Sequence, residues 1–243
     1  MSTKQNINFE SYIPADKINN LNKPNKKIFF NLIKKTQKEV KEKRNVFHSF
    51  SKNFKLNFNF SELKKYKKFN RIIIIGFGGS ILGSQAINCF LKKESKKELI
   101  FINNLDLNQI NKLNKLKDLK NSLFIIISKS GNTIEVLSII NSLKKKANFN
   151  QKNTLIITEN KKNHLSVFAK KLKIKIIAHR HYIGGRYSIF SETALVPCYF
   201  MGVNIRKFKK NILSFLDKKK FILINNLIIL SKIYNSKKIN SLV

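Results

Sequence analysis

A chain of 243 residues with 42% hydrophobic side chains can build one large core, or one and a half, without a disulfide or metal staple. The formal net charge is +36, from 49 Lys and Arg against 13 Asp and Glu, yet the only arginines are Arg44, Arg71, Arg180, Arg186 and Arg206. Base reading leans on arginine, and these lysines are spread along the whole chain, so the composition argues against specific nucleic-acid binding and leaves a positive field that concentrates small anions.

The opening residues MSTKQNINFESY lack the apolar stretch of a signal peptide. Residues 1–20 are polar and read as an arm. Ile28, Phe29, Leu32, Ile33 and Val40 predict an amphipathic helix over about 23–43. Residues 46–60 alternate loosely and carry no assignment. Ser61 followed by Glu62 predicts a short capped helix to Lys68. Strands then alternate with helices. Strands are expected at 71–76, 98–103, 122–128, 154–158 and 173–178. The helices between them are expected at about 80–93, 106–119, 132–146 and 163–172. Ile81, Leu82, Ala86, Ile87, Phe90 and Leu91 set the spacing of the first of these helices. Apolar strands in this alternation predict a doubly wound, five-stranded parallel sheet flanked by helices, an α/β fold behind an N-terminal helical arm.

Beyond the fifth strand, Ser191–Met201 reads as a helix ended by Gly202. Further helices are expected at about 204–217 and 221–234. Lys238–Val243 reads as a new strand with no crossover after it, and a parallel neighbour would need one of a dozen or more residues. No run of about 18 apolar residues is present, so no membrane span or membrane partner is expected. Cys89 and Cys198 fall in predicted helices without C-x-x-C or ligand spacing, and read as buried free thiols of a reducing compartment. The expected location is the cytoplasm.

Three stretches carry possible chemistry. Arg71–Gly76 ends a strand of four isoleucines, and Gly76, Gly78, Gly79 and Ser80 then open a helix, which exposes backbone N–H groups as an anion site. The glycines do not fit G-x-G-x-x-G, because Ile81 occupies the third position, and G-x-x-x-x-G-K-[ST] is absent. A plain tight turn would use the same glycines. The second stretch, Ser128-Lys129-Ser130-Gly131-Asn132-Thr133, gathers hydroxyls, a lysine and N–H groups where a strand meets a helix. It also fits an N-cap serine with polar neighbours. Glu135 falls in the following first turn, where a carboxylate complements the helix dipole. In Gly184-Gly185-Arg186, the guanidinium either holds a developing oxyanion with two donors or is a surface arginine after a turn. His179 and His181 flank Arg180, but no Cys, Asp or Glu joins them at metal-ligand spacing, so they read as loop histidines. His48 and His164 carry no context. With so few acids, no general base stands out.

Together these stretches resemble the glucose-6-phosphate isomerase family and, within it, the sugar isomerase (SIS) domain. IGFGGSILG is similar to the family's IGIGGSxLG, SKSGNTIEVL to SKSGTTxET, and IGGRYSIFSETALVP to VGGRFSxxSxxGLxP. KKINSLV resembles the start of GKKINVLMPYSD. The resemblance implies that Gly79 and Ser80 face the sugar. It implies that Ser128, Lys129, Ser130 and Thr133 hold its phosphate, and that Arg186 stabilises the enediolate formed as a proton moves between C1 and C2. It implies no metal and no cofactor. The implied partners are a small-molecule sugar phosphate and either a second copy in a homodimer or a missing second SIS domain. Asn132 departs from a usual threonine, and Glu192 and Thr193 from small or apolar residues. The family's base, a glutamate of its second SIS domain, has no counterpart here, nor do its ring-opening histidine and late lysine. The expected division is an arm and helices over 1–68, a sugar-phosphate-binding SIS domain over 69–203, and the beginning of a truncated second SIS domain over 204–243. A non-catalytic sugar-phosphate-binding module is the alternative reading.

Overall fold

Five strands, β1 Arg71–Gly76, β2 Glu98–Ile102, β3 Leu123–Ile127, β4 Thr154–Glu159 and β5 Lys175–His179, form one parallel sheet in the order β2-β1-β3-β4-β5. The structure, a computed structural model, describes residues 23–51, 53–91 and 97–210, together with Ile228 and Ser231. Register pairs such as Ile74 with Ile125 and Ile126 with Ile156 stack β-branched side chains across the sheet. The central strands are buried on both faces, which is why they read as unbroken apolar runs.

The two faces have different helices. Ile72, Ile74, Ile125 and Ile157 pack with Ile81 and Ile87 of α3 (Gly79–Leu91) and with Leu195 and Cys198 of α7 (Glu192–Phe200). The same layer takes in Leu63 of α2 (Phe60–Leu63) and Ile205 of α8 (Ile205–Lys210). On the other face Ile73, Ile75, Ile126 and Ile156 meet Leu113 of α4 (Leu107–Lys115), Val136, Ile139 and Leu143 of α5 (Ile134–Ala147), and Leu165 of α6 (His164–Lys171). Each fully buried isoleucine contributes about 1.5–3 kcal/mol relative to exposure.

The chain divides into two compact units, one of residues 1–39 with 212–243 and one of 40–211. In the first, Ile33 of α1 (Lys23–Lys41) packs with Ile228. The second holds the sheet and everything described below. The expected arm at 1–20 and strand at 238–243 lie outside the described residues, as does the helix expected over 221–234 apart from Ile228 and Ser231.

Some sequence expectations are corrected. Ser61 does not cap a helix: α2 begins at Phe60 after Asn59 and passes into a 3₁₀ turn, Lys64–Lys68. Cys89 is exposed, whereas Cys198 is buried as expected. Leu82 and Phe90 are also exposed, because α3 turns only the Ile81, Ser84 and Ile87 stripe inward. The helix expected over 106–119 ends at Lys115, and Asp118 takes a left-handed conformation before a 3₁₀ turn at Leu119–Asn121. Residues 46–50 form a 3₁₀ turn. Among the described residues, no helix is long and apolar enough to cross a membrane.

Candidate functional site

In a parallel sheet with helical crossovers, each helix starts at the carboxyl edge, so its N–H groups and positive dipole end face that edge. Ligands of such sheets sit where the strand order reverses. Here that point lies between β1 and β3, because β1 leads to β2 on one side while β3, β4 and β5 continue on the other. The glycine turn follows β1 and the hydroxyl loop follows β3. They are close: a Cβ on Gly76 would stand 3.1 Å from the Ile127 carbonyl oxygen.

The third stretch reaches the same place. A Cβ on Gly79 would fall 2.8 Å from Gly185 Cα and 2.6 Å from the Arg186 nitrogen, so the two backbones touch only because both residues are glycine. Ser188 Oγ reinforces the junction by donating to Gly185 O at 2.6 Å and lying 3.3 Å from Gly79 O. Arg186 is exposed, and its guanidinium makes no hydrogen bond or ion pair among the described residues. Ser80 is half-buried in the first turn of α3.

Ser128, Ser130 and Thr133 converge. The Ser128 and Thr133 hydroxyls are 2.7 Å apart, and Ser130 Oγ lies 3.5 Å from the first and 3.4 Å from the second. Ser128 Oγ also accepts from Gly131 N, and Ser130 Oγ from Asn132 N. Thr133 is the N-cap of α5 but makes no side-chain cap bond, so the hydroxyls serve the loop rather than the helix end. Gly131 has φ 70°, and Asn163 fills the space where its Cβ would be. Asn163 also closes a capping box with Ser166, and Leu165 N donates to Gly131 O, so the start of α6 clamps the loop. Asn132 Oδ1 accepts from His164 N at 3.0 Å and lies 2.9 Å from His164 Nδ1, which gives this residue a local role.

Lys129 spends its ammonium on other partners. Its ammonium donates to His181 O at 2.7 Å and lies 3.7 Å from Glu159, which also pairs with Lys161 at 2.5 Å. Burial would raise the Glu159 carboxyl, but Lys161, Lys129 and His179 outweigh it and hold the group below the usual carboxylate range. Glu135 is half-buried in the first turn of α5.

Sequence reading missed one cluster. His179, expected in a loop, ends β5 with a fully buried side chain beside the equally buried Glu192. Glu192 Oε1 accepts from Arg180 Nη1 at 2.6 Å and from Asn57 N at 3.0 Å. Arg180 also donates to Lys55 O and lies over the Phe54 ring, whose other close cation is Lys209. The signal in the sequence was the acid at the head of ETALVPCYF, an otherwise apolar helix. A groove of 640 Å³ opens at the carboxyl ends of β4 and β5, lined by Asn57, Glu159, Lys161, Arg180 and His181. A larger one, 990 Å³, lies at the amino ends of the strands beside Arg71, Glu98 and Lys117, away from the glycine and hydroxyl loops. Among the described residues, no group of three or more His, Cys, Asp or Glu could hold a metal ion.

An open parallel sheet with one reversal point makes this a doubly wound α/β protein, and the glycine turn and hydroxyl loop on either side of that point make its carboxyl edge the candidate anion site. The family model for phosphoglucose isomerase matches residues 2–217, and the chain belongs to that family. It is 34% identical over 152 residues to the glucose-6-phosphate isomerase of Campylobacter jejuni, an alignment that covers 60% of this chain and 37% of that protein. It is 36% identical over 151 residues to the enzyme of Methanocaldococcus jannaschii, with the same two coverages. The chain thus spans little more than a third of the length of these relatives. The crystal structure of a glucose-6-phosphate isomerase from Chlamydia trachomatis superposes with a TM-score of 0.57 at 18% identity, over 94% of this chain and 40% of that one.

Proposed function

We propose that this chain is the phosphate-binding part of a glucose-6-phosphate isomerase, which interconverts glucose 6-phosphate and fructose 6-phosphate in glycolysis and gluconeogenesis. The observation that carries the reading is the meeting of the Gly79 and Gly185–Arg186 backbones at the switch point beside the clustered hydroxyls of Ser128, Ser130 and Thr133. The substrate phosphate sits on those hydroxyls and on the first N–H groups of α5. Lys129, held by His181 O and Glu159, adds positive field rather than a first contact. Gly79 and Ser80 line the sugar. The Arg186 guanidinium, unpaired among the described residues, offers two donors to the oxyanion that develops while the proton moves between C1 and C2.

That proton needs a base, worth roughly 10²–10⁴ in rate. The nearby described carboxylates are otherwise placed: Glu159 is paired with lysines, Glu192 is buried against Arg180, and Glu135 sits in a helix first turn. A second SIS domain, as partner, is the proposed source of the base. A homodimer and a cytoplasmic setting, where free Cys89 and Cys198 stay reduced, complete the reading. Nucleic acid meets only diffuse lysine charge. A non-catalytic sugar-phosphate-binding module is the second reading, favoured by the lack of an available base among the described residues. Calorimetric titration tests the shared core of both. Fructose 6-phosphate binds near millimolar, about 4 kcal/mol, while unphosphorylated fructose does not bind. Equal binding of the two sugars would refute the phosphate site.

A further inference from the structure

We infer that His179 and Glu192 share one buried proton and together act as positioning residues for the Gly184-Gly185-Arg186 loop, an inference that rests on the sugar-phosphate reading of that loop. His179 Nε2 lies 3.0 Å from Ile183 O. A carbonyl only accepts, so Nε2 carries a hydrogen. The other ring nitrogen, Nδ1, faces Glu192 Oε2 at 3.7 Å. Both atoms are buried, and neither has a hydrogen-bond partner. Without a proton between them, two lone pairs oppose each other in a dry interior and both groups stay unsatisfied. One proton on that axis satisfies both after the 3.7 Å separation contracts by about 0.7 Å, to a normal hydrogen bond of about 3 Å.

The surrounding charges suit that state. Arg180 and the Asn57 N–H occupy the other carboxylate oxygen, Lys209 of α8 lies on the same side, and Glu159 approaches His179 from β4 with Lys129 and Lys161 against it. Burial alone would raise the Glu192 carboxyl. The facing His179 ring, the hydrogen bonds from Asn57 N and its own N–H, and the Arg180 charge prevail and hold it below the usual carboxylate range.

The pair brackets a turn. His179 ends β5, Ile183 N donates to Arg180 O, and Ile183 O receives the His179 ring. Glu192 holds Arg180 from the start of α7. The chain therefore enters Gly184 in a fixed direction, and Gly185 then lies on Gly79.

Nitrogen-resolved NMR of the imidazole rings in the full chain at pH 7 tests the shared proton. We expect hydrogens on both nitrogens of His179, and loss of the Nδ1 hydrogen in Glu192→Gln, whose amide itself donates to the bare nitrogen. A wild-type His179 with a bare Nδ1 would overturn the pair. Amide hydrogen exchange tests the positioning role. Residues 184–186 exchange about tenfold faster in Glu192→Leu, stay near wild type in Glu192→Gln, and the sheet is unchanged in both. Unaltered loop exchange in Glu192→Leu would overturn it. Fructose 6-phosphate affinity falls with loop protection. If the wild-type chain binds no sugar phosphate, the functional reading fails, while ring protonation and exchange still decide this inference.

Discussion

Replacing Gly79 with alanine probes the junction on which the site depends. The added methyl would stand 2.6 Å from the Arg186 nitrogen and 2.8 Å from Gly185 Cα. Carbon needs about 3.5 Å, so one backbone has to recede by roughly 1 Å, and neither is a flexible side chain. Overpacking of this kind costs about 1–3 kcal/mol, or roughly 2–4 °C of melting temperature per kcal/mol in a unit of this size. The functional loss exceeds the loss of stability, because a displacement of about 1 Å near the chemistry can cost 10²-fold. Gly78→Ala is the control. Gly78 has φ 52° with nothing within 4 Å of a Cβ, so alanine there carries only backbone strain, about 1–2 kcal/mol, and moves no loop. Thermal melts and calorimetry with fructose 6-phosphate separate the two variants. Gly79→Ala should lose measurable binding while Gly78→Ala keeps it. Gly79→Ala with wild-type affinity would refute the argument that this contact aims Arg186.

Gly131→Ala meets both a left-handed φ of 70° and the Asn163 amide, so it should destabilise the hydroxyl loop and weaken sugar-phosphate binding in the same titration. Burial lowers Lys209 from 10.5 to about 8. The unfolded chain then binds more protons between those values, so stability rises with pH across that window by at most about 3 kcal/mol. Chemical denaturation at pH 7.5 and pH 10 should show that rise in wild type and not in Lys209→Met. In a coupled assay the chain alone should not interconvert glucose 6-phosphate and fructose 6-phosphate at an enzymatic rate. Robust turnover abolished by Arg186→Ala would reveal a base within it.

Strands were legible because β-branched runs buried on both faces need no periodicity to be recognised, and β1 falls at the expected 71–76. The glycine and hydroxyl stretches were legible because each carries its chemistry locally. That Gly185 lies on Gly79 was not legible, since the contact joins residues far apart in sequence. The His179–Glu192 pair left no local pattern: Glu192 stood out only as a departure from the family, and its partners come from β5 and from the unassigned stretch 46–60. The exposed Cys89 shows the limit of helical spacing, which gave α3 a wider buried face than it has.

The most direct test of the phosphate site is the phosphorus resonance of fructose 6-phosphate titrated with the full chain. The account predicts a saturable shift or broadening in wild type that Ser130→Ala combined with Thr133→Val removes, the clustered hydroxyls being the proposed cradle. A resonance perturbed equally by wild type and the double variant would contradict it.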